Sequence, residues 1–303
     1  ELNMPGAYKN IKDTSIVAQF KLLENKSSIN LFKNINTEIY LLAWTTTPWT
    51  LPANNSLAVN ENMEYSIVKT INTYTKIPVT VILASSCISS YFENKNLKYE
   101  LLKKIKGKDL LGFDYEQLLE YVPAEKPAFT IVHADFVSAE EGTGIVHISR
   151  TFGSDDFFIS EKYNIPGIFV KDEKGNNVPI VDKSGKFVKE ITDFSGMSVK
   201  NFGNDEELST DIQIAIKLKK ENKAFLVEKY EHSYPHCWRT DKPILYYPLE
   251  SWFIATTKFK NELIQMNKEI NWQPESTGSG RFGNWLENIV DWNLSRSRYW
   301  GTP

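Results

Sequence analysis

Short apolar runs fill the first 200 residues, and they constrain the fold more than any other feature of the sequence. EIYLLAWTT, YSIVKT, TVILASS, FTIVHADFV and GTGIVHIS are each rich in Val, Ile, Thr and aromatic residues, with turn residues between them. Such side chains fit a pleated, half-buried surface, so each run predicts a strand. PIVDKSGKFVKE adds a predicted hairpin around residues 183–185. Many short strands at irregular spacing, interrupted by small helices, predict a closed or folded-over sheet.

From about residue 205 the apolar residues adopt a helical period. The first helical stripe, with Ser209 or Thr210 as its N-cap, consists of Ile212, Ala215, Ile216 and Lys219. The second stripe follows two threonines and consists of Phe259, Leu263, Met266 and Ile270. The third consists of Phe282, Trp285, Leu286, Ile289 and Val290. We expect all three stripes to face a core.

The composition narrows the classes of function. No apolar run reaches the roughly 18 residues that a membrane span needs, and we expect no membrane partner. Two cysteines, Cys87 and Cys237, do not make a disulfide framework and fit a reducing compartment, so we expect a cytoplasmic protein. The net charge of −3 argues against wrapping a long stretch of nucleic acid, although it allows a grip on a few terminal nucleotides.

Residues 44–54 read WTTTPWTLPAN. Threonine favours strands, whereas Pro48 removes a backbone donor and restricts the residue before it, so the strand should end near Thr47. Two interpretations remain open from these residues alone. The segment is either a surface turn after an edge strand or a rigid turn that presents hydroxyls to a ligand.

Residues 142–149 read GTGIVHIS, and FGSDD follows at residues 152–156. The glycines permit a tight turn or a close backbone approach, and the short strand after them carries His147. Asp155 and Asp156 fit the first turn of a helix, where acidic residues are favoured. Taken alone, this segment describes a packed histidine and a helix start.

Other motifs carry no chemistry. GSGRFG (residues 278–283) fits a nucleotide-loop pattern but lacks the strand and the acidic residue that such a loop requires, so we expect a turn that enters a helix. His232, His236 and Cys237 lie close together without a fourth metal ligand, so we expect no metal site. No serine or cysteine lies in a recognisable nucleophile motif.

Taken together, WTTTPWTLPAN and GTGIVHIS…FGSDDF resemble the editing domain inserted in class I isoleucyl-, valyl- and leucyl-tRNA synthetases. The resemblance extends through HSYPHCWRTDKPILYYPLESWF and RFGNWLENIVDWNLSRSRYWGTP and covers nearly the whole chain. It implies an α+β fold: a β-barrel-like editing domain with peripheral helices over residues 1–230. A return segment over residues 231–303 would lead back toward a catalytic core that is absent here.

Details of the motifs point to one type within this family. TTTPWT resembles the isoleucyl type, because valyl and leucyl relatives typically carry an arginine before the proline and an acid after it. The spacing of the two motifs and VDKSGKFV…DFSG resemble the eukaryotic cytosolic form. One departure is ISRTFGSDD, where many relatives have alanine and proline in place of Ser149 and Arg150.

The resemblance implies hydrolytic proofreading. Valine is one methylene smaller than isoleucine, so a synthetic pocket for isoleucine cannot exclude it, and a second site that admits only valine can remove the error. The expected partner is the 3′ acceptor end of tRNA(Ile) carrying valine, and we expect a monomer. The chain contains neither adenylation signature of the family. We therefore expect that the chain does not activate an amino acid, with ATP and magnesium needed only by a full-length parent enzyme. We expect no cofactor for editing, because an aminoacyl ester is already labile and positioning a water suffices.

By motif match, the resemblance assigns a role to each site residue. Asp156 binds the α-ammonium group of the amino acid, since a charge-assisted hydrogen bond orients and selects it. The ester carbonyl and the attacking water need fixed polar groups, and the candidates are Thr45, Thr46, Thr47 and Asn54. The remaining substrate-binding residues are Trp49, Thr50 and His147.

Alternatives remain open for His147 and for the activity itself. His147 is expected to limit side-chain size, with a general-base role as the alternative. The domain could act on another misacylated tRNA, such as threonine in the valyl system, or bind the acceptor end without hydrolysing it. The joint presence of the threonines, Asn54, His147 and Asp156 argues against that loss of activity.

Overall fold

The computed structural model describes residues 5–33, 35–200 and 208–295. The chain divides into two compact units between Tyr247 and Pro248. This boundary lies beyond the one predicted after residue 230, because that position falls inside a long strand, Ala224–Pro235. The strand pairs with the first strand of the chain from Tyr8 to Ala18, so it belongs to the first unit.

The first unit is built from two main sheets with helices at their edges. Its strands are β1 (Tyr8–Lys21), β2 (Ile39–Thr45), β3 (Ser56–Val59), β4 (Glu64–Ile71), β5 (Pro78–Ala84), β6 (Glu100–Lys106), β7 (Thr130–His133), β8 (Ile145–Ile148), β9 (Phe169–Lys171), β10 (Asn177–Pro179) and β11 (Ala224–Pro235). Its α-helices are α1 (Ile29–Phe32), α2 (Ser154–Lys162) and α3 (Thr210–Lys220). The six-stranded sheet has the order β11-β1-β2-β5-β4-β6, the three-stranded sheet has the order β7-β3-β8, and β9 and β10 form a hairpin.

Backbone hydrogen bonds join the two main sheets into the predicted barrel-like arrangement. On one side, Leu23 N donates to Asp114 O (2.9 Å) and Ile131 N donates to Phe113 O (2.9 Å), which links β1 to β7 through residues 112–116. On the other side, Ala84 N at the end of β5 donates to the carbonyl of Thr143, which precedes β8 (2.8 Å). The predicted folded-over sheet and α+β class are confirmed.

The local predictions hold best where a single residue decides the geometry. β2 ends at Thr45, and a 3₁₀ helix over Pro48–Ala53 follows, as expected where a proline cannot continue the ladder. Ser209 is the N-cap of α3, since its Oγ accepts from Ile212 N. The face of α3 was predicted less well, because Ile216 is exposed. The helix instead buries a face that consists of Thr210, Asp211, Ile214, Ala215 and Leu218.

The second unit contains β12 (Phe253–Ile254), β13 (Trp292–Asn293), α4 (Lys260–Glu269) and α5 (Gly283–Glu287). Residues 278–282 form a helical turn that enters α5, as predicted for GSGRFG. The two helical stripes predicted to face a core are instead largely exposed: Met266 is 61% exposed, and within the third stripe only Leu286 is buried. The prediction was wrong here because two short helices and a two-stranded sheet are too small to cover both apolar faces.

Within the described residues, no helix is both long and apolar enough to cross a bilayer.

Candidate active site

The two sequence motifs lie side by side in the first unit. Thr143 Oγ1 donates to Leu42 O in β2 (2.6 Å), which fixes the start of β8 beside β2. At the ends of these strands, Thr50 Oγ1 lies 2.9 Å from His147 Nε2, although the two residues are 97 positions apart in the chain. The site is therefore built where a strand and the turn after it meet a second, short strand.

The glycines of GTGIVHIS serve both purposes expected of them. Gly142 and Gly144 have φ values of 74° and 73°, which side chains rarely tolerate. A Cβ on Gly144 would lie 2.4 Å from the Cβ of Ala84, so the backbone approaches β5 more closely than any other residue would allow.

The threonine turn presents one free hydroxyl. Thr45 Oγ1 accepts from Thr47 N (3.0 Å), and Thr50 Oγ1 donates to Thr47 O (2.9 Å), so these groups hold the turn together. Thr45 and Thr50 are buried, whereas Thr46 and Thr47 are partly exposed. The Thr46 hydroxyl forms no hydrogen bond with any described residue, which leaves it available to a ligand.

His147 Nε2 is hydrogen-bonded to the Thr50 hydroxyl, which also lies 2.9 Å from Thr47 O. The hydroxyl carries one proton, so it donates to one of these two partners. Nδ1 of His147 is buried with no protein partner among the described residues. Burial lowers the pKa of His147 to about 4, so the ring is neutral near pH 7.

Asp156 lies in the first turn of α2 and is partly buried. Its Oδ2 accepts from Ser149 N (2.8 Å). Burial raises the pKa of the carboxyl to about 6, the Ser149 hydrogen bond opposes this, and the charge of Asp155 adds to it. No described cation lies within ion-pair distance of Asp156, so near pH 7 the site holds a carboxylate without a counter-charge.

The neighbouring arginine does not supply that counter-charge. Arg150 Nη1 donates to Ile165 O (2.9 Å), and its Nη2 pairs with Glu161 further along α2. The guanidinium also lies 5.3 Å from the ring centroid of Phe157. The departure at position 150 therefore leaves the carboxylate of Asp156 unpaired.

Gly153 leaves room for the carboxylate. A Cβ at this position would lie 2.8 Å from Asp156 Cγ and 2.9 Å from Oδ2, closer than real Cβ contacts come. The glycine is thus required by the position of one side chain and not by its own backbone angles, because its φ is −152°.

Asn54 is 2% exposed and bonds to the protein through both ends of its amide. Its Nδ2 donates to Ser56 O (2.9 Å) and to Ile148 O (3.3 Å), and its Oδ1 accepts from the hydroxyl of Tyr115 (2.7 Å). The catalytic role predicted for Asn54 stays a prediction, and these contacts favour a scaffolding role that ties the turn to β3 and β8.

Trp49 is buried at the start of the 3₁₀ helix. Its indole packs edge-on against Phe152, with ring centroids 5.0 Å apart. Its main-chain N–H donates to Asp211 Oδ1 of α3 (2.9 Å). Sequence reasoning missed Asp211, because an acidic residue near a helix start gives no sign of a partner 162 residues away.

Buried polar atoms without a protein partner lie within the two motifs or within two residues of them. Among the described residues they are Trp49 Nε1, Asn55 Oδ1, Ser56 Oγ, His147 Nδ1, Ser149 Oγ and Thr151 Oγ1. Such an atom typically costs about 1–3 kcal/mol of stability, so a cluster of them calls for an explanation. A polar ligand that enters between the two motifs would supply one.

The described residues contain no group of three or more His, Cys, Asp or Glu side chains placed to hold a metal ion.

Comparison with solved structures defines the class of fold. The crystal structure of GlLeuRS-CP1 superposes with a TM-score of 0.50, covering 71% of this chain and 99% of that one at 16% identity. The fold is therefore that of the editing domain of class I synthetases.

Sequence comparison gives the family. Residues 14–303 match the model of class I tRNA synthetases (I, L, M and V), and the chain belongs to this family. It is 55% identical to the isoleucine–tRNA ligase of Cytophaga hutchinsonii and 45% identical to that of Porphyromonas gingivalis. Each alignment covers the whole chain but only 29% of the relative. The expected eukaryotic cytosolic type is not supported, because these relatives are bacterial.

Proposed function

We propose that this chain is the proofreading part of an isoleucine–tRNA ligase and that it hydrolyses the ester between valine and tRNA(Ile). The observation that carries the proposal is the Asp156 carboxylate, which is partly buried, has no cation partner among the described residues and is kept clear by Gly153. A fixed carboxylate of this kind selects an ammonium group. The choice of isoleucine as the parent system rests on TTTPWT and on the named relatives.

In the proposed reaction, water adds to the ester carbonyl carbon, the bond to the ribose oxygen breaks, and that oxygen takes up a proton. Asp156 binds the α-ammonium group and sets the position of the ester. The hydroxyls of Thr46 and Thr47 orient the carbonyl or the water at the end of β2. Because an aminoacyl ester is already activated, positioning the water suffices without a protein nucleophile.

We propose that His147 and Trp49 form the wall that limits side-chain size. A neutral, buried ring held by Thr50 is suited to a rigid wall, and close-packed walls yield little to an extra methylene. A general base works best with a pKa near the pH of the reaction. The low pKa of His147, about 4, favours the steric role over the base.

The proposal includes the 3′ acceptor end of tRNA(Ile) as partner, with valyl-adenylate as a further possible substrate. Editing needs no cofactor. ATP and magnesium would serve amino-acid activation in the longer isoleucine–tRNA ligase of which we propose this chain is a part, called the natural-length protein below. A monomeric state and a cytoplasmic location stay predictions.

The test is deacylation of tRNA(Ile) charged with valine and, separately, with isoleucine, by the chain and by the natural-length protein. We expect valine to be released and isoleucine retained. A third arm with threonyl-tRNA(Val) identifies a valyl-type enzyme. Retention of valine by the natural-length protein would overturn the proposal and would support a domain that binds the acceptor end without hydrolysis.

A further inference from the structure

A buried charged cluster lies behind the threonine turn. Lys200 and Asp211 are 7% and 4% exposed. The Lys200 ammonium lies 2.7 Å from Asp13 Oδ2 of β1 and 3.4 Å from Asp211 Oδ2 of α3. His232 Nε2 of β11 lies 3.2 Å from the same Asp13 oxygen. The cluster therefore connects the six-stranded sheet to α3. None of its residues has a role in the proposed reaction.

The second oxygen of Asp211 reaches the site turn. Asp211 Oδ1 accepts from Trp49 N at 2.9 Å, while Oδ2 faces Lys200. Trp49 is the second residue of the 3₁₀ helix Pro48–Ala53, and the first amides of a helix have no partner within it. A carboxylate is a strong acceptor for such an amide.

This hydrogen bond joins a charged cluster to the wall of the proposed pocket. Trp49 packs against Phe152, and Thr47, two residues before Trp49, accepts from the Thr50 hydroxyl that also holds His147. Lys200 keeps the carboxylate oriented, since it contacts Oδ2 and leaves Oδ1 for the amide. A shift of Asp211 would therefore move the turn that carries the threonines and the indole.

We propose that Asp211, oriented by Lys200, is a positioning residue for the editing reaction that holds the threonine turn through the Trp49 amide. The inference rests on the proposed function. Asp211 touches no substrate and acts only through Trp49.

The experiment compares Asp211→Ala, which removes the acceptor, with Asp211→Asn, which keeps an oxygen for the Trp49 amide. The matched control is Lys217→Ala, another charged residue of α3. This substitution removes the ion pairs of Lys217 with Asp193 and Glu221. The first readout is hydrogen exchange of the Trp49 amide. The second is kcat and KM of the natural-length protein on valyl-tRNA(Ile).

We expect Asp211→Ala to exchange the Trp49 amide at least about tenfold faster and to lower kcat about 10- to 100-fold with little change in KM, because a displaced turn misplaces the reacting groups. Asp211→Asn should recover both values in part, because its single oxygen can accept from the Trp49 amide while its NH2 group no longer pairs with Lys200, and the control should change neither. If the alanine variant does not fold, Asp211→Leu, which fills similar volume without an acceptor, replaces it with the same expectations.

If the native natural-length protein releases valine from valyl-tRNA(Ile), either of two results overturns the inference. One is a folded acceptor-less variant with native Trp49 exchange or native kcat, and the other is an asparagine variant as impaired as the alanine variant. If the native natural-length protein releases no valine, the proposed function fails and the catalytic part of this inference fails with it. The exchange measurement still decides whether Asp211 holds the turn.

Discussion

Asp156→Asn separates the charge of Asp156 from its shape. Asparagine keeps an oxygen for Ser149 N, so the start of α2 should stay in place while the carboxylate charge is lost. Losing one partner of a hydrogen-bonded charge pair in a desolvated site costs about 2–5 kcal/mol. At 1.36 kcal/mol per factor of ten, kcat/KM for valyl-tRNA(Ile) should fall about 30- to 5,000-fold.

The same substitution should not destabilise the fold. The pKa of Asp156 is raised from 3.8 to about 6, so the folded protein holds the proton more tightly than the unfolded chain. This stabilisation by protonation is complete below pH 4 and is lost as the pH rises through 6. The difference corresponds to about 3 kcal/mol, which partial exposure reduces to about 1–2 kcal/mol. At pH 7 the asparagine variant should therefore be as stable as the native protein or more stable, with the difference vanishing below pH 4.

The assay combines deacylation kinetics between pH 5 and 8 with urea unfolding at pH 4 and pH 7. In the native protein, kcat/KM should fall as the pH drops through about 6, because the carboxylate is protonated there. His147, with a pKa of about 4, stays neutral over this range. Asp156→Asn should lack this acidic limb. Turnover within tenfold of native would refute the assignment of Asp156 as the ammonium-binding group, and a loss of stability at pH 7 would refute its raised pKa.

Three further substitutions test other parts of the site. Gly153→Ala should lower kcat/KM about 10- to 100-fold because the new Cβ displaces the Asp156 carboxyl; a native rate would contradict this reasoning. His147→Ala should begin to hydrolyse correctly charged isoleucyl-tRNA(Ile), and loss of valine release without that gain would instead indicate a general base. Asn54→Ala should lower the free energy of unfolding by about 1–3 kcal/mol in a urea titration, since it leaves buried partners unpaired; an unchanged unfolding midpoint together with slow hydrolysis would restore its predicted catalytic role.

Local sequence signals predicted the elements that carry the site. The proline in WTTTPWT predicted the end of β2, the glycines in GTG predicted a tight turn, and Ser209 predicted the start of α3. Each of these effects depends only on residues that are close together in the sequence, so the sequence alone is enough to predict it. The helical stripes of the second unit were predicted to be buried and are exposed, because burial depends on what lies opposite and not on periodicity alone.

The sequence by itself nominated the residues of the candidate site, since both motifs are contiguous and their resemblance to the editing-domain family assigns each residue a role. Only the tertiary structure decided which polar atoms are free. It committed the Asn54 amide to Tyr115 and β8, paired His147 Nε2 with Thr50, and paired Arg150 with Glu161 rather than with Asp156. It also brought Asp211 to the Trp49 amide. Each outcome depends on a contact between residues from different parts of the chain or on a choice among nearby partners, and such contacts are set by packing.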